Sequence, residues 1–445
     1  MKKRTKRQKA IIRRRIFVSL VALLLAAIVA VVCLLVNSGS NGVGENENTD
    51  NQSQNQSAAE QDDNSSQESS NTQSQTKPGK VTATVLNTGD ILIHDNVLWG
   101  AEQSDGSYNF SKLFKEAKSY IKAADYAVAN LEVTLGGEAA GKYRGYPGFN
   151  SPDSLLDYVK ADGFDMLLTA NNHCLDTGLA GMKRTVQQIK ARNLDFLGTK
   201  ETVNDPTYVV KDVNGIKIGM VAYTYGTNSS ASGASSLINY FSSSNTSAFY
   251  TEAREVIKNM KNDGAEAIVF YMHWGSEYHT KPATYQKTIA QELCNMGVDV
   301  IVGGHPHVLQ PVELIHSEDS QNTTVCLYSM GNSISNQRIS EMTGLCATGH
   351  TEDGVLFSYT FARDTDGEVY LDAVDLIPTW VDRYGTAGNY QYTMYPLENA
   401  AMAESYGLDA ATVQKAKASY ERTKKIMAEG LGEIQEYLGC DLRFN

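Results

Sequence analysis

Residues 298–310 read VDVIVGGHPHVLQ, and the fold is decided by how this stretch is read. Val298–Val302 is a short apolar run of the kind that forms a buried strand. Directly after it come Gly303-Gly304 and two histidines one residue apart, His305 and His307. Two imidazoles so placed have little structural use, whereas both suit a divalent metal.

The same grammar recurs along the chain. The apolar run at 81–89 is followed by Asp90, and 126–129 by Asn130-Leu131-Glu132. Phe164–Thr169 leads into Asn171-Asn172-His173, Ala267–Met272 into His273-Trp274-Gly275, and Val325–Ser329 into Gly331-Asn332. Between these runs the periodicity predicts helices at 112–123, 155–160, 182–191, 252–261 and 284–296. Hairpins are expected around Asn214-Gly215 and Asp366-Gly367, and the last 45 or so residues read as helical. Strands alternating with helices indicate an α/β layered fold, and the hairpins favour a mixed sheet or two sheets over a purely parallel one.

Ligands gather at the carboxyl ends of strands in such folds. Six strand ends carrying Asp, Glu, Asn and His therefore predict one converging cluster, and a donor set without thiolate suits Mn, Fe, Zn or Mg. Each residue alone has a plainer reading: Asp90 as a cap, Asn172 as a turn residue, His273 as a packed surface histidine. Six coincidences weigh against all of them together.

The motifs are Gly89-Asp90, Asn130-Leu131-Glu132, NNHCLDTG at 171–178, HWGSEY at 273–278, GHPHVLQ at 304–310 and SMGN at 329–332. In this order and combination the chain resembles the capsule-synthesis CapA family, the poly-γ-glutamate biosynthesis proteins of the calcineurin-like metallophosphoesterase superfamily. The motifs span residues ~81–335, and the resemblance implies a four-layer αββα sandwich; the domain is expected to cover residues 81–380, with 381–445 as a mainly helical extension by periodicity. It also implies roles. Asp90 and His307 would bind a first metal and Asn172, His273 and His305 a second, with Glu132 as the bridging carboxylate. His173 would be the general acid or phosphate stabiliser. One or two divalent ions of Mn, Fe or Zn are the implied cofactor.

Three departures qualify those roles. Leu92 stands where the superfamily's first motif has histidine, with His94 two positions further on; Glu132 replaces a bridging aspartate; and Ser333 replaces an aromatic residue. They leave open a one-metal centre, or a scaffold without turnover. Asp176, Trp274, Glu277, Tyr278 and Gln310 have no assignable role from sequence. Tyr143, Arg144 and Tyr146 are candidate groove residues, and the substrate-binding set is unknown.

The N-terminus bears on location. Residues 1–15 carry nine Lys and Arg and no acid, and residues 16–36 are 21 residues without a charge. At ~1.5 Å per residue that run spans a hydrocarbon layer of ~30 Å. It is expected to be a retained transmembrane signal-anchor helix with the basic tail in the cytoplasm and the main domain extracellular. A cleaved secretory signal is the alternative, disfavoured by length. Residues 37–80 are expected to be a disordered linker, since 24 of the 40 residues at 37–76 are Asn, Gln or Ser and cannot bury enough surface to order the chain.

Nine of the 39 basic residues lie in that tail, so the remainder sets 30 Lys and Arg against 51 Asp and Glu. Such an excess of negative charge argues against nucleic acid as a partner. The apolar run makes the membrane lipid bilayer an expected partner, and the family resemblance implies polymer synthase subunits and anionic polymer. The five cysteines outside the apolar run are widely spaced and odd in number. They read as neither a disulfide framework nor a thiolate zinc site.

Overall fold

The computed structural model describes residues 80–444. The expected cytoplasmic tail, signal-anchor helix and linker up to residue 79 lie outside the described residues. Among those described, no helix is long and apolar enough to cross a membrane.

Two mixed sheets form the framework. In the larger, β1 (Val81–Ile91), β2 (Tyr126–Leu131), β3 (Met166–Leu168) and β4 (Asp195–Leu197) run parallel. In the smaller, β5 (Tyr208–Val213) and β6 (Ile216–Thr224) form a hairpin, and β6, β7 (Ala267–His273), β8 (Val300–Gly304) and β10 (Thr323–Met330) run parallel. The strand β9 (Leu309–His316) closes that sheet antiparallel to β10. The chain then returns to the larger sheet with β11 (Asn332–Ile334), parallel to β1, followed by β12 (Asp353–Arg363), β13 (Val369–Thr386) and β14 (Asn389–Pro396).

The hairpin at Asn214-Gly215 forms as the sequence predicts, with φ of 51° and 82° at the two turn residues, the positive pair that a two-residue hairpin turn requires. Helices pack around the sheets: α1 (Asp95–Ala101), α2 (Lys118–Ala123), α3 (Ser154–Asp162), α4 (Gly178–Ala191), α5 (Thr246–Asn262), α6 (Thr284–Asn295), α7 (Met402–Ser405) and α8 (Ala410–Leu438), the last placing Met427, Leu431 and Ile434 in the interior between the two sheets.

Three apolar clusters explain the stacking. One holds Val85, Val128 and Met166 of the larger sheet with Met220, Val269 and Val300 of the smaller, so the two sheets share an apolar interior. A second joins the larger sheet's other face, through Leu86 and Ala127, to Leu155 and Ile121 of α3 and α2. A third joins Phe270 and Ile301 to Ile257 and Ile289 of α5 and α6. Burying one such side chain contributes roughly 1.5–3 kcal/mol.

Two expectations need correction. The helix predicted from residue 112 begins only at Lys118. Before it, Leu113 N bonds Phe110 O and Ala117 N bonds Phe114 O, at 3.1 and 2.9 Å. These three-residue turns bury Phe110, Leu113, Phe114 and Ala117, a spacing close enough to helical to imitate it. The boundary drawn at 380/381 falls inside β13, and the first part of the expected helical extension is β14, paired to β13 from Thr379↔Pro396 to Thr386↔Asn389. The tyrosines at 390, 392 and 395 suit a strand better than a helix. Helix does follow, with Asp409 capping α8 by accepting the N–H groups of Ala411 and Thr412. Among the described residues all five cysteines are free.

Candidate metal centre

Asp90 sits inside β1, in register with Asn130 of β2 on one side and Asn332 of β11 on the other. Gly89 makes this possible. A Cβ there would lie 1.9 Å from Gly331 O, so only glycine lets the β10–β11 turn approach and deliver Asn332. The Asn130 amide then donates to both carboxylates, to Asp90 Oδ1 at 2.7 Å and Glu132 Oε2 at 3.2 Å. Asn171 fixes Asn130 in turn, donating to its Oδ1 at 3.2 Å and to Leu131 O at 2.9 Å.

The smaller sheet supplies the imidazoles. His273 ends β7 and is in register with Gly304 at the end of β8, and its Nε2 lies 2.8 Å from Asn172 Oδ1. A Cβ at Gly303 would stand 2.0 Å from Tyr328 O, which accounts for the first glycine of the pair ahead of the histidines. His305 and His307 then take the left-handed backbone conformation, at φ 96° and 57°, uncommon without glycine and a mark of a conformation held by its surroundings. His307 Nδ1 faces Asp90 Oδ2 at 3.1 Å and Asn332 Oδ1 at 3.2 Å. The amide nitrogen of Asn332 meets three acceptors, His307 O, Gln337 Oε1 and Thr351 O, so its oxygen is the atom turned to the ring. Two acceptors on Nδ1 place the ring proton there and leave the lone pair of Nε2, 3.8 Å from Glu132 Oε1, free for a metal.

All six expected ligands are buried: Asp90, Glu132, Asn172, His273, His305 and His307. Burial, then the neighbouring Asp90, pushes the Glu132 carboxyl well above the usual carboxylate range. Burial likewise holds His273 well below the usual imidazole range and His305 down to about 3. Among these six residues, three buried polar atoms have no hydrogen-bond partner: Glu132 Oε1, His305 Nδ1 and Asn172 Nδ2. Two buried acidic side chains beside His273 and His305, both held neutral by burial, with Glu132 Oε1 and His305 Nδ1 left unpaired, make an environment that a divalent cation would complete.

Among the described residues there are three groups in each of which the candidate ligand atoms lie within 4.8 Å of one another: Glu132, His273 and His305; Asp90, Glu132 and His307; and Glu277, His305 and His307. The first two meet at Glu132. The donor set therefore fits a divalent metal, and the residues that would hold it are Asp90, Glu132, His273, His305 and His307, with Asn172 Oδ1 beside the His273 ring. Leu92 is fully buried and supplies nothing. His94 does not replace it: its Nδ1 accepts the Asn336 N–H at 3.2 Å, and it belongs to none of the three groups.

His173 stands apart from these donors but within electrostatic range of His273 and His305. Its Nδ1 is 2.7 Å from Asp176 Oδ2, and Asn228 Nδ2 is 3.3 Å from its Nε2. Asp176 also accepts the Phe149 N–H at 2.8 Å. Sequence assigned Asp176 nothing; it lies three residues after His173 in the turn that leads to α4, and that short spacing was the available signal.

Of the groove candidates, Tyr143 packs edge-on against Tyr108, Arg144 donates to Ala140 O and Lys142 O, and Tyr146 is 67% exposed. Trp274 is fully buried with its Nε1 donating to Tyr328 O, a packing role.

The family described as "Bacterial capsule synthesis protein PGA_cap" matches residues 84–337. "Capsule biosynthesis protein CapA" of Bacillus anthracis is 29% identical over 305 residues, 67% of each chain. "PGA biosynthesis protein CapA" of Bacillus subtilis (strain 168) is 26% identical over 294 residues, covering 65% of this chain and 70% of that one. Among solved structures, Haemophilus influenzae NAD nucleotidase (NadN) aligns with a TM-score of 0.40 and 14% identity, over 79% of this chain and 69% of that one.

Proposed function

The chain belongs to the bacterial capsule synthesis family PGA_cap, and from that premise we propose that it serves assembly of an extracellular poly-γ-glutamate-type polymer through a divalent-metal centre. The fold assigned to it in this reading is the four-layer metallophosphoesterase-like sandwich. The observation that carries the reading is Glu132, a fully buried carboxylate common to two donor groups, with one oxygen lacking any hydrogen-bond partner.

A cation held there supplies Lewis-acid catalysis and water activation to phosphoryl chemistry. The chain's own residues do the rest. Asn130 orients both carboxylates, Asn332 holds His307, and Asp176 keeps a proton on His173 Nδ1 so that Nε2 can exchange one with a reacting oxygen. The acidic surface repels bulk polyanions, so an anionic group is held by the centre itself.

The proposal places residues 16–36 in the membrane and the folded domain outside, beside synthase subunits and emerging polymer. Deletion of the gene should reduce extracellular polymer, and a Glu132→Gln copy should fail to restore it. Full restoration by that copy would reduce the protein to a non-catalytic assembly subunit. A second reading, an exported phosphoesterase acting on cell-envelope phosphates, is favoured by the His173–Asp176 pair, which a scaffold would not need. Turnover of a phosphomono- or diester by the purified chain with polymer unchanged in the deletion strain would select it.

A further inference from the structure

The third donor group contains Glu277, an exposed residue in the segment linking β7 to α6. That segment is fastened to the histidine loop along its length. Trp274 N donates to Gly304 O at 3.1 Å and Tyr278 N to Pro306 O at 2.7 Å. Gln310, fully buried, donates to His279 O at 2.8 Å and Lys281 O at 3.1 Å. Gln286 donates to Gln310 Oε1 at 2.9 Å and accepts the Ala283 N–H at 2.8 Å.

Tyr278, next to Glu277, has φ of 65°, and its ring lies 6.2 Å from that of His307. A surface segment has no ordinary need of two buried glutamines or a left-handed tyrosine. They fasten the segment in which a Glu277 carboxylate oxygen lies within 4.8 Å of ring nitrogens of His305 and His307. The buried, unpartnered Nδ1 of His305 is an independent sign of a missing ligand there.

We propose that Glu277 is a metal ligand of the centre, entering from the solvent side and binding a divalent cation together with His305 and His307. It supplies a carboxylate beside His305 and His307, in a centre to which the buried Leu92 contributes no donor. Gln286, Gln310 and the Tyr278–Pro306 bond position it. This rests on the metal-centre reading above and adds a ligand that the strand-end pattern alone does not contain, because Glu277 lies four residues beyond its strand.

The test is cobalt(II) titration of the full-length chain in detergent micelles, read by bound metal per chain and by the visible d–d spectrum, for wild type and Glu277→Gln. Glu277 is exposed, so the variant is expected to fold. The proposal expects the variant to bind at least one cobalt ion about tenfold or more weakly, with an altered spectrum, and Glu277→Asp to recover part of the loss. Identical stoichiometry, affinity and spectrum in Glu277→Gln would overturn the assignment of Glu277 and leave the centre standing. A wild-type chain that binds no cobalt would overturn both.

Discussion

His173 Nδ1 and Asp176 Oδ2 stand 2.7 Å apart with side chains almost wholly removed from solvent, at 4% and 1% exposure. The carboxylate fixes which ring nitrogen carries the proton and turns the other away from it. Asp176→Asn should therefore cut turnover of any phosphate ester the chain hydrolyses by roughly 10²–10⁴-fold, the usual range for positioned acid–base groups. Bound metal should not change. A downfield imidazole proton resonance present in wild type should disappear from the variant. A variant with that resonance intact, or with metal lost alongside activity, would contradict the positioning role.

Gly89 supports a prediction about stability. A methyl at this position meets Gly331 O at 1.9 Å, and neither strand can move aside without shifting Asp90 or Asn332. Gly89→Ala should destabilise the domain by about 1–3 kcal/mol, as overpacking does, and should lower metal content as well. The urea midpoint and metal per chain, measured on the same preparation, test this. An unchanged midpoint would mean that the two segments separate freely.

The acid limb of stability should depend on His94. Burial, and then the neighbouring His307, hold its pKa down to about 3, against an ordinary value of 6.5. Between those two pH values the unfolded chain takes up a proton that the native state refuses, so stability falls as pH falls through the window. His94→Asn keeps an acceptor for the Asn336 N–H and removes the titration. The drop in urea midpoint from pH 7 to pH 4.5 should be smaller in this variant than in wild type. An equal drop would show that His94 contributes nothing to it.

The convergence of the candidate site was legible because strand ends announce themselves. Asp90, Glu132, Asn172, His273, His305 and His307 each stand at or just beyond the end of an apolar run, and the two sheets bring them together. The supporting residues were not legible in the same way. Asn130 bridges two carboxylates only because β1 and β2 pair across 40 residues. Gln310 and Gln286 act through a surface segment that no periodicity marks. The false helical start at residue 112 arose because three-residue turns and α-helix bury similar spacings. The missed strand Asn389–Pro396 lies at a sheet edge, where alternation is weakest as a signal.

The most direct measurement is the divalent-metal content of the full-length chain purified without chelator, for wild type and Glu132→Gln. Glu132 is common to two of the donor groups, and its amide isostere keeps the shape while removing the charge. We expect at least one Mn, Fe or Zn ion per wild-type chain, with most of it lost in the variant although the fold persists. A folded wild-type chain without metal that takes up none when Mn, Fe or Zn is added, or a Glu132→Gln chain that retains the full complement, would contradict the account.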